Sequence, residues 1–366
     1  MRKCSKIEEK CIQYINVILV EILRVFSMII EDIDFERSLP EILRYKKKWC
    51  IGISGGADSL CLTLLSYIYA SQNNIEIYPI FIDHKLREES STEIIPIIKI
   101  LDKFGIRHNI IVWEHSEKID KNMEKRARDA RYRLLHNFCH EKGIDVLLTA
   151  HHSLDQWETF FMRLSRGSSL TGLCSIREIS IYKDINIIRP LLKFSPGDIK
   201  ETLYKKFDIL NFVVDPSNFD EKYERVRFRK LYPLLFEKYK LNTTNIGLTI
   251  KRLQNVEDLL EKVVNEKMIL CFSGNYIIRS IFKNFEIELQ IRILKRIIHS
   301  IIKSDYTRII SYELLERSAR KMCLEDFRAL NIGGCVFRKD YTKNIRVFKE
   351  ERKSKNSKLN PILAEK

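Results

Sequence analysis

The stretch at residues 49–65, WCIGISGGADSLCLTLL, limits the fold more tightly than any other part of the chain. An apolar run at 49–53 stops at two adjacent glycines, and apolar residues at helical spacing (Leu60, Leu64, Tyr67, Ile68) begin straight after them. This order predicts a strand, a tight loop and a helix. Glycine allows a backbone with φ > 0, and the first N–H groups of a helix have no partner within it. Ser54, Gly55, Gly56, Ala57, Asp58 and Ser59 therefore predict a cradle for an anion, most naturally a phosphate. Ser54 and Ser59 add hydroxyl donors. Asp58, an acid beside a phosphate site, makes sense next to a metal ion or a cationic helix end. Two adjacent glycines also suit a plain βα turn, and the shape of the loop alone leaves both readings open.

Runs rich in β-branched residues recur at 75–83, 109–112 and 145–150, separated by helical periodicity over 92–104 and 123–142. Alternating strands and helices predict an α/β fold, a parallel sheet flanked by helices, with ligands gathered at the C-terminal ends of the strands. Those ends carry Ser54 to Ser59, Asp83-His84, Trp113-Glu114 and His151-His152. A further strand is expected at 185–189 and a helix from Ser195, before the turn cluster Asp215-Pro216-Ser217-Asn218. Beyond it the periodicity is helical over 223–239, 246–264, 286–302 and 312–322, with two late strands at 333–337 and 345–348. The expected organisation is an N-terminal helical segment at 1–45, a catalytic α/β domain at 46–220, a mainly helical basic domain at 221–349 and a disordered charged tail at 350–366.

Charge divides the chain at the same place. Of 64 Lys+Arg and 49 Asp+Glu, residues 1–220 hold 32 and 31 and residues 221–366 hold 32 and 18, so nearly all of the net charge of +15 lies in the second part. A basic half suggests a polyanionic partner, nucleic acid first, although a Lys- and Ile-rich composition can raise such a count by itself. Nine cysteines with no C-x-x-C pair point to a reducing cytoplasm and away from a zinc or iron–sulfur site. The apolar segment at 11–30 is interrupted by Glu21 and Arg24, and its uncharged run at 11–20 falls short of the about 20 residues that span a bilayer. It reads as a buried or partner-facing helix, and no membrane is expected.

The sequence HHSLDQWET from residue 151 opens a helix directly after a strand. Ser153 and Gln156 fit a capping box, and His151, Asp155 and Thr159 recur at four-residue steps that share a face if the helix begins early enough. A histidine and an aspartate at a strand end, facing a phosphate loop, are candidates for acid–base chemistry; core residues are the plainer alternative. Over 122–133, NMEKRARDARYR, Arg128 and Arg131 stand three apart and adjacent on a helix. They read as a clamp for phosphate or carboxylate, or as a solvated face paired with Glu124 and Asp129.

The order S-G-G-x-D-S after a strand resembles the PP-loop of ATP pyrophosphatases, enzymes of adenine nucleotide alpha hydrolase-like fold. They split ATP into AMP and pyrophosphate while activating a carbonyl-type oxygen as an adenylate. No Gly-Lys-Ser/Thr follows, so this is not a Walker A loop. The series SGGADS, FIDHKLREES, RARDARYRLL, AHHSLDQWETFFMRLSRGSSLTGL, IIRPLLKF and DPSNFDEKYERVRFRKLYPLL, spread over residues 45–240, is similar in content and order to the tRNA(Ile)-lysidine synthetase family. LNIGGCVFRK at 330–339 is similar to a late segment of the same family. Trp157 departs from the pattern, standing where the family usually has a small residue, and the longer C-terminal extension of some members is not expected here.

The resemblance implies a cytoplasmic ligase that joins L-lysine to C2 of the wobble cytidine of tRNA(Ile) with a CAU anticodon. ATP is then the co-substrate with Mg²⁺, AMP and pyrophosphate are released, and the codon read changes from AUG to AUA. It implies ATP binding at Ser54 to Ser59 with Asp58 on the metal. Asp155 and His151 would bind and deprotonate the lysine ammonium, and Arg128 or Arg131 would take its carboxylate or the adenylate phosphate. A homodimer is left open. Three other readings stay beside this one: a tRNA thiolase, although the best-known cytidine thiolases carry C-x-x-C pairs that are missing here; an amidating enzyme, which would need a glutaminase; and a non-catalytic RNA-binding protein, against which the complete loop argues.

Overall fold

The computed structural model describes residues 27–83, 94–114, 123–210, 212, 220–302 and 310–350. The expectations for residues 1–26, for His84, for the turn at 215–218 and for the tail from 351 lie outside the described residues. By contacts the chain divides into two compact units, Met1–Gln254 and Asn255–Lys366. The change in composition near residue 220 thus falls inside the first unit.

Six strands of the first unit make one sheet: β1 Lys48–Ile53, β2 Glu76–Asp83, β3 Asn109–Val112, β4 Val146–Leu148, β5 Ile179–Tyr182 and β6 Ile185–Ile188. Their order is β3-β2-β1-β4-β6-β5, and every neighbouring pair is parallel except β5 with β6. The chain builds outward from β1 to β3, then returns to the other side of β1 for β4. The order reverses between these two strands, which pair through Cys50↔Leu147 and Ile51↔Leu148. Their C-terminal ends therefore open the crevice in which such sheets bind ligands.

Strand β1 is apolar on both faces, as a central parallel strand must be. Trp49 and Ile51 face one layer, packed with Leu60 and Leu64 of α1 (Ala57–Gln72), Leu101 of α2 (Ile95–Lys103) and Leu203 of α5 (Pro196–Phe207). Cys50 faces the opposite layer with Leu135 and Cys139 of α3 (Met123–Lys142). Each fully buried large side chain here contributes about 1.5–3 kcal/mol. Residues 27–30, the described end of the expected apolar helix, are not helical. They run along α5 instead, with the Met28 N–H donating to Asp198 Oδ1 (2.9 Å) and the Ile30 N–H to Thr202 Oγ1 (2.8 Å). Helix α4 (Ser153–Leu164) follows β4, and α6 (Glu224–Tyr239) docks on it. Trp157 of α4 is fully buried there among Phe161, Phe228, Tyr232 and Ile250, the last from α7 (Thr243–Cys271).

In the second unit, α8 (Ile287–Ile302) and α9 (Tyr312–Cys323) cover a five-stranded antiparallel sheet of order β7-β8-β11-β10-β9. Its strands are β7 Phe272–Ser273, β8 Tyr276–Ile277, β9 Ala329–Ile332, β10 Cys335–Lys339 and β11 Ile345–Lys349. Two of them, β10 and β11, match the expected late strands; β7 and β8 are too short to show a period of two. Gly333 and Gly334 belong to a turn rather than to a strand. Their φ values of 61° and 82° close a two-residue hairpin between Ile332 and Cys335. A Cβ at Gly333 would lie 2.6 Å from Ile310 Cδ1 and 2.8 Å from Ile298 Cγ2. Gly333→Ala should therefore destabilise the second unit by at least the about 1–2 kcal/mol of the left-handed backbone, read as a lower urea midpoint at unchanged slope.

Candidate active site

The loop after β1 bends at Gly55, whose φ of 91° requires glycine. Helix α1 then starts from Gly56 without a side-chain cap, which leaves the N–H groups of its first turn for a ligand. The Ser54 N–H donates to Ser59 Oγ (3.1 Å), and the Ser59 hydroxyl donates in turn to the Gly56 carbonyl (3.0 Å). Ser59 thus braces the loop and spends its proton inside it. Ser54 is exposed, with its Oγ 3.2 Å from that of Ser59, and is the hydroxyl on the open side.

Asp58, in the first turn of α1, brings Oδ2 to 3.8 Å from Nε2 of His152. Burial pushes its carboxyl above the usual range, and the nearby His152 offsets this in part. His152 is the N-cap of α4. Its N–H donates to Asp155 Oδ2 (2.9 Å) while its Nδ1 accepts the Asp155 N–H (3.3 Å), a reciprocal capping box. An accepting Nδ1 puts the proton of the neutral ring on Nε2, toward Asp58.

This box replaces the one expected from Ser153 and Gln156. Ser153 is already helical, and its N–H is taken by the Phe194 carbonyl (2.9 Å). Gln156 instead clamps Ile176, accepting its N–H at 3.0 Å and donating to its carbonyl at 2.8 Å. Helix α4 begins at Ser153, so His151 precedes the cap and shares no helical face with Asp155 and Thr159. Its Nδ1 lies 3.2 Å from Thr149 Oγ1. Burial lowers the imidazole to about 4; Asp155 opposes this, while Arg189, Arg225 and Arg128 add to it. The ring is neutral at neutral pH.

Asp155 and Glu158 lie one turn apart on the inward side of α4, and Glu158 has no exposed surface. Arg225 of α6 bridges them, with Nη2 on Asp155 Oδ1 and Nε on Glu158 Oε2. Arg229, one turn on, donates from Nε to Glu158 Oε1 at 2.5 Å. Burial raises the Asp155 carboxyl, but the neighbouring His152 and the Arg225 guanidinium outweigh it and hold the group below its ordinary range. The acid read from the sequence as open to an ammonium is thus engaged at both oxygens, one of them by a cation of the chain itself.

Arg128 and Arg131 are exposed on α3, the former with its guanidinium 5.2 Å from the Tyr132 ring centroid. Glu158, Arg189, Arg225 and Arg229 were not singled out from the sequence. The available signals were the three-residue step from Asp155 to Glu158 and the four-residue step between the arginines of RVRFRK.

Two outcomes follow from these charges. Glu158→Ala removes a buried carboxylate but leaves arginines that are 42% and 35% exposed and able to rehydrate. The loss should be about 1.5–3 kcal/mol, measured by urea unfolding. His151 stays neutral in the fold down to about 4, whereas the unfolded chain takes up the proton from about 6.5. Stability from this group is thus full above the higher value and falls as pH drops toward the lower one. His151→Gln should flatten the acid side of the stability profile, and an unchanged slope would contradict the assignment.

The model of the PP-loop domain family matches residues 31–235, more than half of the chain. Among curated relatives, the tRNA(Ile)-lysidine synthase of Wolbachia pipientis wMel is 29% identical over 333 residues, covering 88% of this chain and 75% of that protein. The tRNA(Ile)-lysidine synthase of Orientia tsutsugamushi (strain Boryong) is 36% identical over 223 residues, and that of Rickettsia conorii (strain ATCC VR-613 / Malish 7) 40% over 178. These matches cover 60% and 49% of this chain but only 49% and 36% of the two relatives. A solved structure, the U34-tRNA thiolase NcsA from Methanococcus maripaludis with its [4Fe-4S] cluster, shares the fold at a TM-score of 0.52 and 19% identity, covering 61% of this chain and 76% of that one. With the loop after β1 and the crevice between β1 and β4 in place, the chain belongs to the PP-loop domain family.

Proposed function

We propose that the chain is a tRNA(Ile)-lysidine synthase, which uses ATP to attach L-lysine to C2 of the wobble cytidine of tRNA(Ile) and so shifts its reading from AUG to AUA. The observation that carries this is a glycine-bent loop and an uncapped helix start after β1, beside a buried carboxylate pair on the helix after β4, across the point where the strand order reverses. The names of the relatives support tRNA(Ile) as the substrate and lysidine as the product.

In the first step the cytidine C2 oxygen attacks the α-phosphorus of ATP, and the bond to pyrophosphate breaks. The first-turn N–H groups of α1 and the Ser54 hydroxyl are placed to take the charge of the leaving group. Mg²⁺ would rest on Asp58 and on phosphate oxygens, a donor set that suits this ion, and would supply further charge neutralisation. In the second step the lysine side-chain amine attacks C2, AMP leaves with the former C2 oxygen, and the amine gives up a proton.

That step needs a neutral amine, although the free ammonium has a pKa of about 10.4. Asp155 and Glu158 draw the ammonium in; Arg225 and Arg229 offset their charge and so ease loss of its proton. His151, a neutral ring at the end of β4, is the acceptor. Arg128 and Arg131 serve an anion of the substrates. The basic residues of 221–366 would hold tRNA through its phosphates, and the extruded base would be read by polar edges in the crevice. A cytoplasmic setting accords with the free thiols of the described cysteines. No helix among the described residues is long and apolar enough to cross a membrane.

The direct test is mass spectrometry of nucleosides after incubation of an unmodified tRNA(Ile) transcript with ATP and lysine. Lysine-modified cytidine is expected, and cytidine left unchanged would overturn the proposal. Asp58→Ala should abolish tRNA- and lysine-dependent pyrophosphate release. Asp155→Asn should slow the second step by about 10²- to 10⁴-fold and trap adenylated tRNA, visible with α-labelled ATP. If that variant binds ATP and tRNA yet forms no adenylate, Asp155 serves the first step instead.

A further inference from the structure

The sheet of the second unit carries α8 and α9 on one face. Ile277, Ile332, Cys335, Phe337, Ile345 and Val347 point into the core with those helices. By the strand period of two, the residues between them stand on the outer face. Register lines these up in a row across four strands: Tyr276 of β8 lies opposite Arg346 of β11, Arg346 opposite Arg338 of β10, and Arg338 opposite Ala329 of β9. All four are exposed. In the next row Phe348 faces Val336, and the Arg338 guanidinium lies over the Phe348 ring, 5.6 Å from its centroid.

Like charges directly opposite each other on a sheet repel and cost stability. Neither arginine has an ion-pair partner among the described residues, whereas elsewhere in the unit Arg292 has Glu257 and Arg320 has Glu316. Glu350 follows β11 on the same face and is held by Asn331 Nδ2 (2.7 Å) instead. Opposite charges across the strands would keep this face soluble at no such cost. Two uncompensated arginines set between two rings have the composition of a nucleic-acid surface. The flat shape selects the kind of strand. Paired bases hide their faces in the duplex stack, so open rings gain contact only with unpaired ones. At the usual strand spacing the row is about 14 Å long, which leaves room for two or three bases.

We propose that the outer face of this sheet is a platform for single-stranded nucleic acid, on which Tyr276 and the Arg338–Phe348 pair each stack a base while Arg346, between them, takes a phosphate. The Phe348 ring holds the Arg338 guanidinium flat, and a flat guanidinium offers a base the same kind of surface as a ring. Stacking on unpaired bases differs from a general grip on phosphates, and the platform does not rest on the ligation reading.

The test is fluorescence anisotropy of the full chain with three labelled probes: a uridine octamer, the same backbone without bases, and an RNA duplex of equal length. The wild type should bind the octamer at least about tenfold more tightly than the abasic strand. Tyr276→Ala should weaken octamer binding by about five- to a hundredfold and leave abasic binding as it was. Tyr276→Phe, which keeps the ring, should bind like the wild type. Arg346→Ala should weaken both single strands and lessen the dependence on salt. These side chains are exposed, and an unchanged far-ultraviolet dichroism spectrum checks that the fold is kept. A wild type that does not distinguish the octamer from the abasic strand, a duplex bound as tightly as the octamer, or octamer binding unchanged in Tyr276→Ala overturns the platform. The assay contains neither ATP nor lysine, so its failure leaves the ligation reading intact, and a failed ligation leaves the platform standing.

Discussion

Parallel pairing of β1 with β4 is the constraint on which the rest of the first unit depends. Residues almost a hundred positions apart become neighbours through two register pairs, Cys50↔Leu147 and Ile51↔Leu148. Each strand must then deliver its next residues to the same edge. From β1 comes a loop that glycine bends, and from β4 comes a helix whose cap is itself a polar pair. Neither half makes a site alone. The buried apolar faces of β1 hold the register because a slip by one residue would exchange the Trp49 and Cys50 layers.

Charge in the crevice is handled by compensation. Glu158 has no exposed surface, and two arginines from a helix later in the chain neutralise it. The same contacts dock α6 on α4, so the position of that helix and the electrostatics of the crevice are coupled. An entering cation must compete with Arg225 for the Asp155 carboxylate. In the proposed reaction, binding strength would thereby be traded for a lower affinity of the amine for its proton, which suits a nucleophile better than a tightly held ammonium.

Much of this was legible in the residues because periodicity and turn chemistry act locally. The strand, loop and helix around Ser54 to Ser59, and the alternation that follows, come from patterns a few residues long. The capping box was misplaced by one residue because a long-range bond, from the Ser153 N–H to Phe194, decides where α4 begins. Arg225 and Arg229 could not be tied to Glu158 from the sequence, since the ion pairs span about 70 positions. Strand β5 was missed for a similar reason: a four-residue antiparallel edge strand is set by its partner β6 more than by its own residues. In the second sheet β7 and β8 were hidden because strands of two residues carry no period, and β9 because it is a four-residue edge strand set by its partner β10.

The placement of tryptophan has an optical consequence. The three tryptophans of the chain, Trp49, Trp113 and Trp157, all lie in the first unit and are all buried, on β1, just after β3 and on α4. The second unit has tyrosine but no tryptophan. Indole emission therefore reports on the first unit alone, while far-ultraviolet dichroism sums over both. Comparing the two signals during unfolding separates the units without any label. Trp157, wedged between α4 and α6 against Tyr232 with ring centroids 5.2 Å apart, makes part of that emission a gauge of whether the arginine-bearing helix is docked.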